Sequence, residues 1–449
     1  MKNISNNLKI KHYVTFLIFL FACFAGLYFY NSNKWFYRGE KALGLKLYDK
    51  AIECYTTQIK LYPEDSRAYN NRGHAFYGKN EYDKAIEDYN TAIELDPKYA
   101  YTYCNRGLAY IQKKEYNKAL KDYNTAIEFD PENANAYNNR GVVYKIMKEY
   151  NKAINDYSMA IELNPKYILA YDNRGDVYQN INEYDKAIVD YNTAIKLDPK
   201  YILEYDKRGF IYQFKKENNK AINDFSKAID LDPKDFFAYL NRGHAYGNIK
   251  EFDKAIDDET KALELDPKLV MAYIQRGLSY KDKKEYDKAI MDSKKAISLD
   301  PKHPMCVFAY RNLGSIYSEK KEYSKAIEDY NKAIELDPKN PNTYNSRGWT
   351  YLWMSEWGKA KKDFEKAIEL DAKNSAPYGN LAIYYWKAEK NKRKALEYYE
   401  KCFQHGYDFD TLYDDTSDGH FIGDLNKTPE FKALLEKYKN KNNSGKKDK

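Results

Sequence analysis

Glycine returns every 34 residues along most of this chain, as Gly39, Gly73, Gly107, Gly141, Gly175, Gly209, Gly243 and Gly277. Gly314 follows after 37 residues, Gly348 after 34, and Ala382 takes the slot 34 later. A fixed period of this length means one small unit stacked many times, and it excludes a fold closed around a single core. With the glycine numbered as position 8, position 4 is aromatic in all eleven units, from Trp35 and Tyr69 to Tyr378. Position 20 is alanine in the first ten, Ala51 to Ala360, and position 32 is proline in the first nine, Pro63 to Pro338.

Positions 4, 8 and 11 share one face at helical spacing. Positions 17, 20, 21, 24, 27 and 28 share another, as in Tyr82, Ala85, Ile86, Tyr89, Ala92 and Ile93. Glycine and alanine let two helices approach closely, and the aromatics fill the space on either side. The proline near the end of each unit pushes the residue before it out of the α region and stops the second helix. Each unit therefore reads as a two-helix hairpin that cannot bury its own faces, so neighbours must stack and the fold is all-α.

The residues Tyr137-Asn138-Asn139-Arg140-Gly141-Val142-Val143-Tyr144, followed by Ala153, Tyr157, Ala160 and Pro165, carry a family signature. The pattern resembles the tetratricopeptide repeat over residues 32–409, in eleven helix-turn-helix units. The resemblance implies a right-handed superhelical solenoid. Its concave groove would be lined by the first helix of each hairpin and would bind a protein or an extended peptide. The first and last units depart most from the pattern, as terminal repeats tend to. An insertion around Lys302–Val307 is expected to lengthen the turn between the eighth and ninth units.

Composition narrows the partners. The 74 basic and 67 acidic residues are interspersed, and the net charge of +7 is not gathered into the basic stripe that nucleic acid requires. An aromatic content of 16% excludes a disordered chain. The five cysteines, Cys23, Cys54, Cys104, Cys306 and Cys402, are too scattered for a disulfide framework.

Residues 1–12 form a basic leader with Lys2, Lys9 and Lys11, and residues 13–30 (YVTFLIFLFACFAGLYFY) carry no charge. A helix needs about 17–25 apolar residues to span a bilayer, so this segment reads as a single-pass anchor in the lipid bilayer. Two rivals stay open. Leu20-Phe21-Ala22-Cys23 is similar to a lipoprotein signal acylated at Cys23, and a signal cleaved after Ala25 fits as well. A short basic leader before an apolar run leads us to expect the repeat domain on the exported side. The basic residues after the span, Lys34, Arg38, Lys41, Lys46 and Lys50, support the opposite, cytoplasm-facing orientation.

Residues 410–439 read as an acidic stretch and a capping helix that starts at Thr428-Pro429 and lays Phe431, Leu434 and Leu435 on the last repeat. Residues 440–449 read as a disordered basic tail. Asp414-x-Thr416-x-Asp418-Gly419 begins like a calcium loop, but its twelfth position is Leu425 and not the bidentate glutamate such a site needs. The six histidines have no metal-ligand spacing, and no phosphate-cradling loop or nucleophile, base and orienting group stand together. We therefore expect no metal, no cofactor and no catalysis. An enzyme with its site in the acidic stretch is the minor alternative.

Three position-specific features remain. Position 6 is asparagine in seven units: Asn71, Asn105, Asn139, Asn173, Asn241, Asn312 and Asn380. In the family this position faces the groove, where amides would grip a peptide backbone; the other reading is a plain solvated face. No unit pairs lysine at position 5 with asparagine at position 9, the clamp that family members use for chaperone tails. Trp349, Trp353 and Trp386 are close in the pattern and would form either a binding hot spot or a patch under the C-terminal cap, while Trp357 at position 17 reads as core. Finally, position 7 is arginine and position 23 aspartate in eight units each carrying both, as in Arg140 with Asp156. The two positions lie at one height on opposite helices, so a repeated ion pair across each hairpin or to its neighbour is expected.

Overall fold

The computed structural model describes residues 34–406, 425 and 427–444. All of the elements there are helical: a helix over 34–44, twenty-one helices from Tyr48–Leu61 to Lys392–Gln404, and a last one over Pro429–Ser444. The chain divides into two compact units, residues 1–211 and 212–449. Within each unit consecutive helices pair as hairpins, and each second helix packs on the first helix of the next repeat. First helices of successive repeats also touch one another, whereas contacts among second helices are sparser. The first helices thus form the inner layer of each stack, which is the solenoid architecture expected from the sequence.

The hairpin turn closes with a backbone device. After the first helix Ser66–Gly78 the Glu81 N–H bonds the Phe76 carbonyl at 2.9 Å and the Asn80 N–H bonds that of Tyr77 at 2.9 Å. This is a Schellman turn, and it puts Asn80 in the left-handed region at φ 62°. The same slot is lysine in most repeats, among them Lys114 and Lys148, both at φ 60°. The paired carbonyls outweigh the ~1–2 kcal/mol that a Cβ costs there.

Position 24 fills the hairpin. Tyr55, Tyr89, Tyr123, Tyr157, Tyr191 and Phe364 are fully buried against the position-8 glycine of their own hairpin, and Phe225 is fully buried as well. A Cβ on Gly141 would lie 2.7 Å from the Tyr157 ring. Gly141→Ala should therefore cost about 1–3 kcal/mol although alanine is the better helix former. Gly247, which has open space around it, should instead gain up to about 1 kcal/mol on the same change. Urea unfolding of the two variants checks the contrast.

The arginine and aspartate positions meet. Arg140 donates from Nε and Nη2 to the two Asp156 oxygens at 2.8 and 2.7 Å, and from Nη1 to Asn124 Oδ1 at 2.7 Å. Arg72, Arg106, Arg174, Arg242, Arg276 and Arg347 repeat the fork with Asp88, Asp122, Asp190, Asp258, Asp292 and Asp363. Arg208 and Asp224 belong to different units. Each arginine thereby ties its own hairpin together and reaches the second helix of the preceding repeat through a Thr, Asn or Ser. The guanidinium also lies over the position-4 tyrosine, 5.4 Å from the Tyr137 centroid.

The insertion lengthens the turn between Leu299 and Cys306 to six residues, against four between Leu95 and Ala100, and adds a residue to the following helix, Cys306–Glu319. The C-terminal helix seats Phe431, buried at 2%, edge-on to Tyr399 at 5.1 Å, with Leu434 and Leu435 beside it. It runs to Ser444, so the helix consumes half of the segment expected to be a disordered tail. Residues 13–30, Cys23 and the Asp414–Asp418 stretch lie outside the described residues. Among the described residues no helix is long and apolar enough to cross a membrane.

Candidate binding face

Positions 2, 5, 6, 9 and 13 follow helical spacing along the inner face of each first helix. In residues 34–211 this face leaves Tyr101, Ile146, Leu169, Leu203 and Phe210 exposed, Phe210 at 50%. In the second unit it exposes Phe237 at 57%, Leu278 and Phe308. Large apolar side chains left in water along one helix face, between amides, make a surface that gains from being covered.

The position-6 asparagines do more than border this surface. Asn105 Nδ2 donates to Asn70 Oδ1 at 3.0 Å, Asn173 to Asn138 at 3.2 Å and Asn380 to Asn345 at 2.8 Å. Each bond runs from position 6 to position 5 of the preceding repeat. Asn312 reaches the Ile274 carbonyl at 3.5 Å in the same direction. Asn71 and Asn139 accept from Asn70 and Asn138 beside them, and the Asn241 carbonyl accepts from Gln213. The amides of Asn105, Asn173, Asn312 and Asn380 are thus cross-links between adjacent first helices. An amide has two donors and two acceptor sites, so one cross-link leaves groups over for a ligand.

A charged cluster on repeats 4 to 6 escaped the sequence reading. Lys207, at position 6 in place of asparagine, pairs with Asp172 and with Asp176, the latter at 2.7 Å. Lys145 bonds Asp176 at 3.2 Å and Asn173 at 3.1 Å. The Tyr191 hydroxyl lies 3.2 Å from Asp176 and from Gln179. Glu204 replaces the usual alanine of position 3 and is wholly buried. Burial, then the Asp172 charge, push its carboxyl far above the usual range, so it holds its proton at neutral pH. Burial works against the Lys207 charge, but the hydrogen bonds and charges of Asp172 and Asp176 raise it overall. The signal was present as four departures from the repeat pattern, Asp172, Asp176 and Lys207 on one face and Glu204 at the buried position 3. Only their convergence in space gives it meaning.

The tryptophans gather at the other end of the chain. Trp349 and Trp386, with Trp357, are partly buried against the cluster that Leu425, Phe431 and Tyr438 complete. Trp353 is half-buried and meets Trp349 edge-on at 6.3 Å. Among the described residues no group of three or more His, Cys, Asp or Glu is placed to hold a metal ion. The thiols of Cys104 and Cys402 are pushed up to about 12 by burial, which makes them poor nucleophiles at neutral pH.

Family models described as "TPR repeat" match residues 73–113, 107–147 and 215–250. Those described as "Tetratricopeptide repeat" match 134–167, 169–201, 236–269 and 307–340, and further 272–303 and 329–362. No curated protein matches the chain. Among solved structures it is similar to yeast Tom70, at 17% identity over 92% of this chain and 99% of that one, with a TM-score of 0.47. It is similar also to MamA, 26% identical over 38% of this chain and 94% of that one, TM-score 0.37. YrrB, a TPR protein with an unusual peptide-binding site, is 27% identical over 42% and 97% of the two chains, TM-score 0.35. With the hairpins, the buried position-8 contacts and repeat-family models matching more than half of its length, the chain belongs to the tetratricopeptide-repeat family.

Proposed function

We propose that the protein is a membrane-anchored scaffold that holds protein or peptide partners on its first-helix face and performs no chemistry itself. The observation that carries this reading is the exposed apolar row on that face within each unit, Leu169, Leu203 and Phe210 in the first and Phe237, Leu278 and Phe308 in the second, set among half-buried amides with hydrogen-bonding capacity to spare. Apolar contact supplies affinity and the amides orient an extended backbone. Anchoring rests on residues 13–30, and export of the repeats on the short basic leader before them. Arg38 and Lys41 lie in the first described helix, and Lys46 and Lys50 in the turn and second helix that follow it, so they count as part of a folded repeat and not as a cytoplasmic flank.

A photoreactive residue placed at Phe237 in cells should crosslink partners, whereas one at Val189, 62% exposed on a second helix, should not. Equal crosslinking from both positions would refute the first-helix face as the docking surface. Deleting residues 13–30 should move the protein out of the carbonate-resistant membrane fraction. A reporter fused after Lys449 reads the side on which the repeats lie.

A further inference from the structure

In repeat 9 the arginine is displaced by two residues. Tyr310-Arg311-Asn312-Leu313-Gly314 stands where repeats 2 and 4 read Tyr-Asn-Asn-Arg-Gly. Leu313 fills the wall position, buried at 2%, and Asp329 keeps its place opposite with no arginine in reach. The displaced Arg311 sits at position 5, on the first-helix face. It is half-buried, its Nε is buried with no acceptor, and among the described residues no carboxylate comes within ion-pair distance of it. The Phe308 ring lies beside it, with the centroid 5.8 Å away, and the buried Tyr330 is the other group that acts on its charge. Seven arginines elsewhere each close on an aspartate, so an unpaired and partly desolvated guanidinium is out of keeping with the rest of the chain. Gln275 on the adjacent first helix adds the complement, a buried Oε1 with no donor. On the same face Leu278 and Phe308 are exposed at 40% and 41%.

We propose that the first-helix face of repeats 8 and 9 takes an acidic side chain of a polypeptide partner, with its carboxylate on Arg311 and its apolar neighbours on Leu278 and Phe308. This rests on the reading of the first-helix face as the docking surface. A carboxylate completes the guanidinium with a charge-assisted fork, stronger than a neutral hydrogen bond. An extended backbone carries N–H groups that Gln275 Oε1 can accept.

The test uses the solubilised full-length protein and two fluorescein-labelled peptides, Ser-Leu-Glu-Phe-Glu-Leu-Ser and its counterpart with glutamine for both glutamates. The glutamate peptide is expected to bind about tenfold more tightly, with the difference shrinking as salt is added. Arg311→Asn, which restores the residue of repeats 2 and 4, should erase the preference and leave the thermal midpoint unchanged or higher. Arg311→Lys should keep part of it, since a lysine supplies charge without the fork. Equal binding of both peptides, or a preference that survives in Arg311→Asn, would overturn the assignment alone. A fall in the midpoint of Arg311→Asn with the preference intact would show the arginine to be structural. Failure of both peptides to bind wild type at millimolar concentration would overturn the docking face as well.

Discussion

Arg140→Leu is expected to destabilise the protein by about 2–4 kcal/mol at neutral pH, more than an ordinary surface ion pair could lose. The Asp156 side chain is 8% exposed and the Arg140 side chain 19%, and the two are joined by a full fork. Leucine fits the position, as Leu313 shows, so sterics are not the cause. The cost comes from leaving a carboxylate buried without its cation. Asp329, opposite Leu313, displays that state: burial pushes it up to about 6. In Arg140→Leu, Asp156 should behave likewise. A carboxyl raised in the folded state contributes most when the unfolded chain is also protonated, and that contribution is lost as pH rises through the folded value. The penalty should therefore be small near pH 4 and full above about 6. Asp156→Ala should cost less, because Arg140 keeps Asn124 and can turn toward water. Urea denaturation of both single variants and the double gives the coupling energy. A value under about 0.5 kcal/mol would mean that the ladder is decoration.

The second large effect is a pH slope in the second unit. Repeat 7 has Glu259 where most repeats bury Tyr or Phe, at 1% exposure. Its Oε1 accepts from Ser279 Oγ at 3.2 Å, and its Oε2 has no partner. Burial first pushes the carboxyl up to about 8; Arg276 pulls it back, but that guanidinium is already forked on Asp292. Asp258 and Asp292 add to the rise. The unfolded chain releases this proton near 4.5 and the folded one near 8, so stability should fall as pH climbs through that window. The slope is at most about 1.4 kcal/mol per pH unit, and less wherever water penetrates. Glu259→Gln should flatten that component. Glu259→Phe, which copies Phe225 and Phe364, should raise stability at pH 7.5 by about 2 kcal/mol or more. Matching pH profiles for wild type and Glu259→Gln would remove Glu259 as the source.

Much of this architecture was legible in the order of the residues. The 34-residue period, the hairpin and the stack follow from small and aromatic residues at helical spacing, which have one way to be buried. The Arg–Asp fork was legible for a related reason: both partners sit in one hairpin, 16 residues apart, and the turn between them sets their height. The capping helix was legible from Thr428 and Pro429, whose effect is local, although its end at Ser444 was not, because no stop signal precedes it.

What only the tertiary structure decided are the contacts between repeats. Arg140 reaches back to Asn124, Asn105 crosses 35 residues to Asn70, and Lys207 crosses 35 to Asp172. A one-dimensional pattern places a residue on a face, but its partner on the next repeat depends on the angle and offset at which hairpins pack. The same holds for Glu204, Glu259 and Arg311. Each is an ordinary polar residue by type, and becomes a protonated acid or an unpaired cation only because packing removes its water and decides whether an opposite charge is within reach.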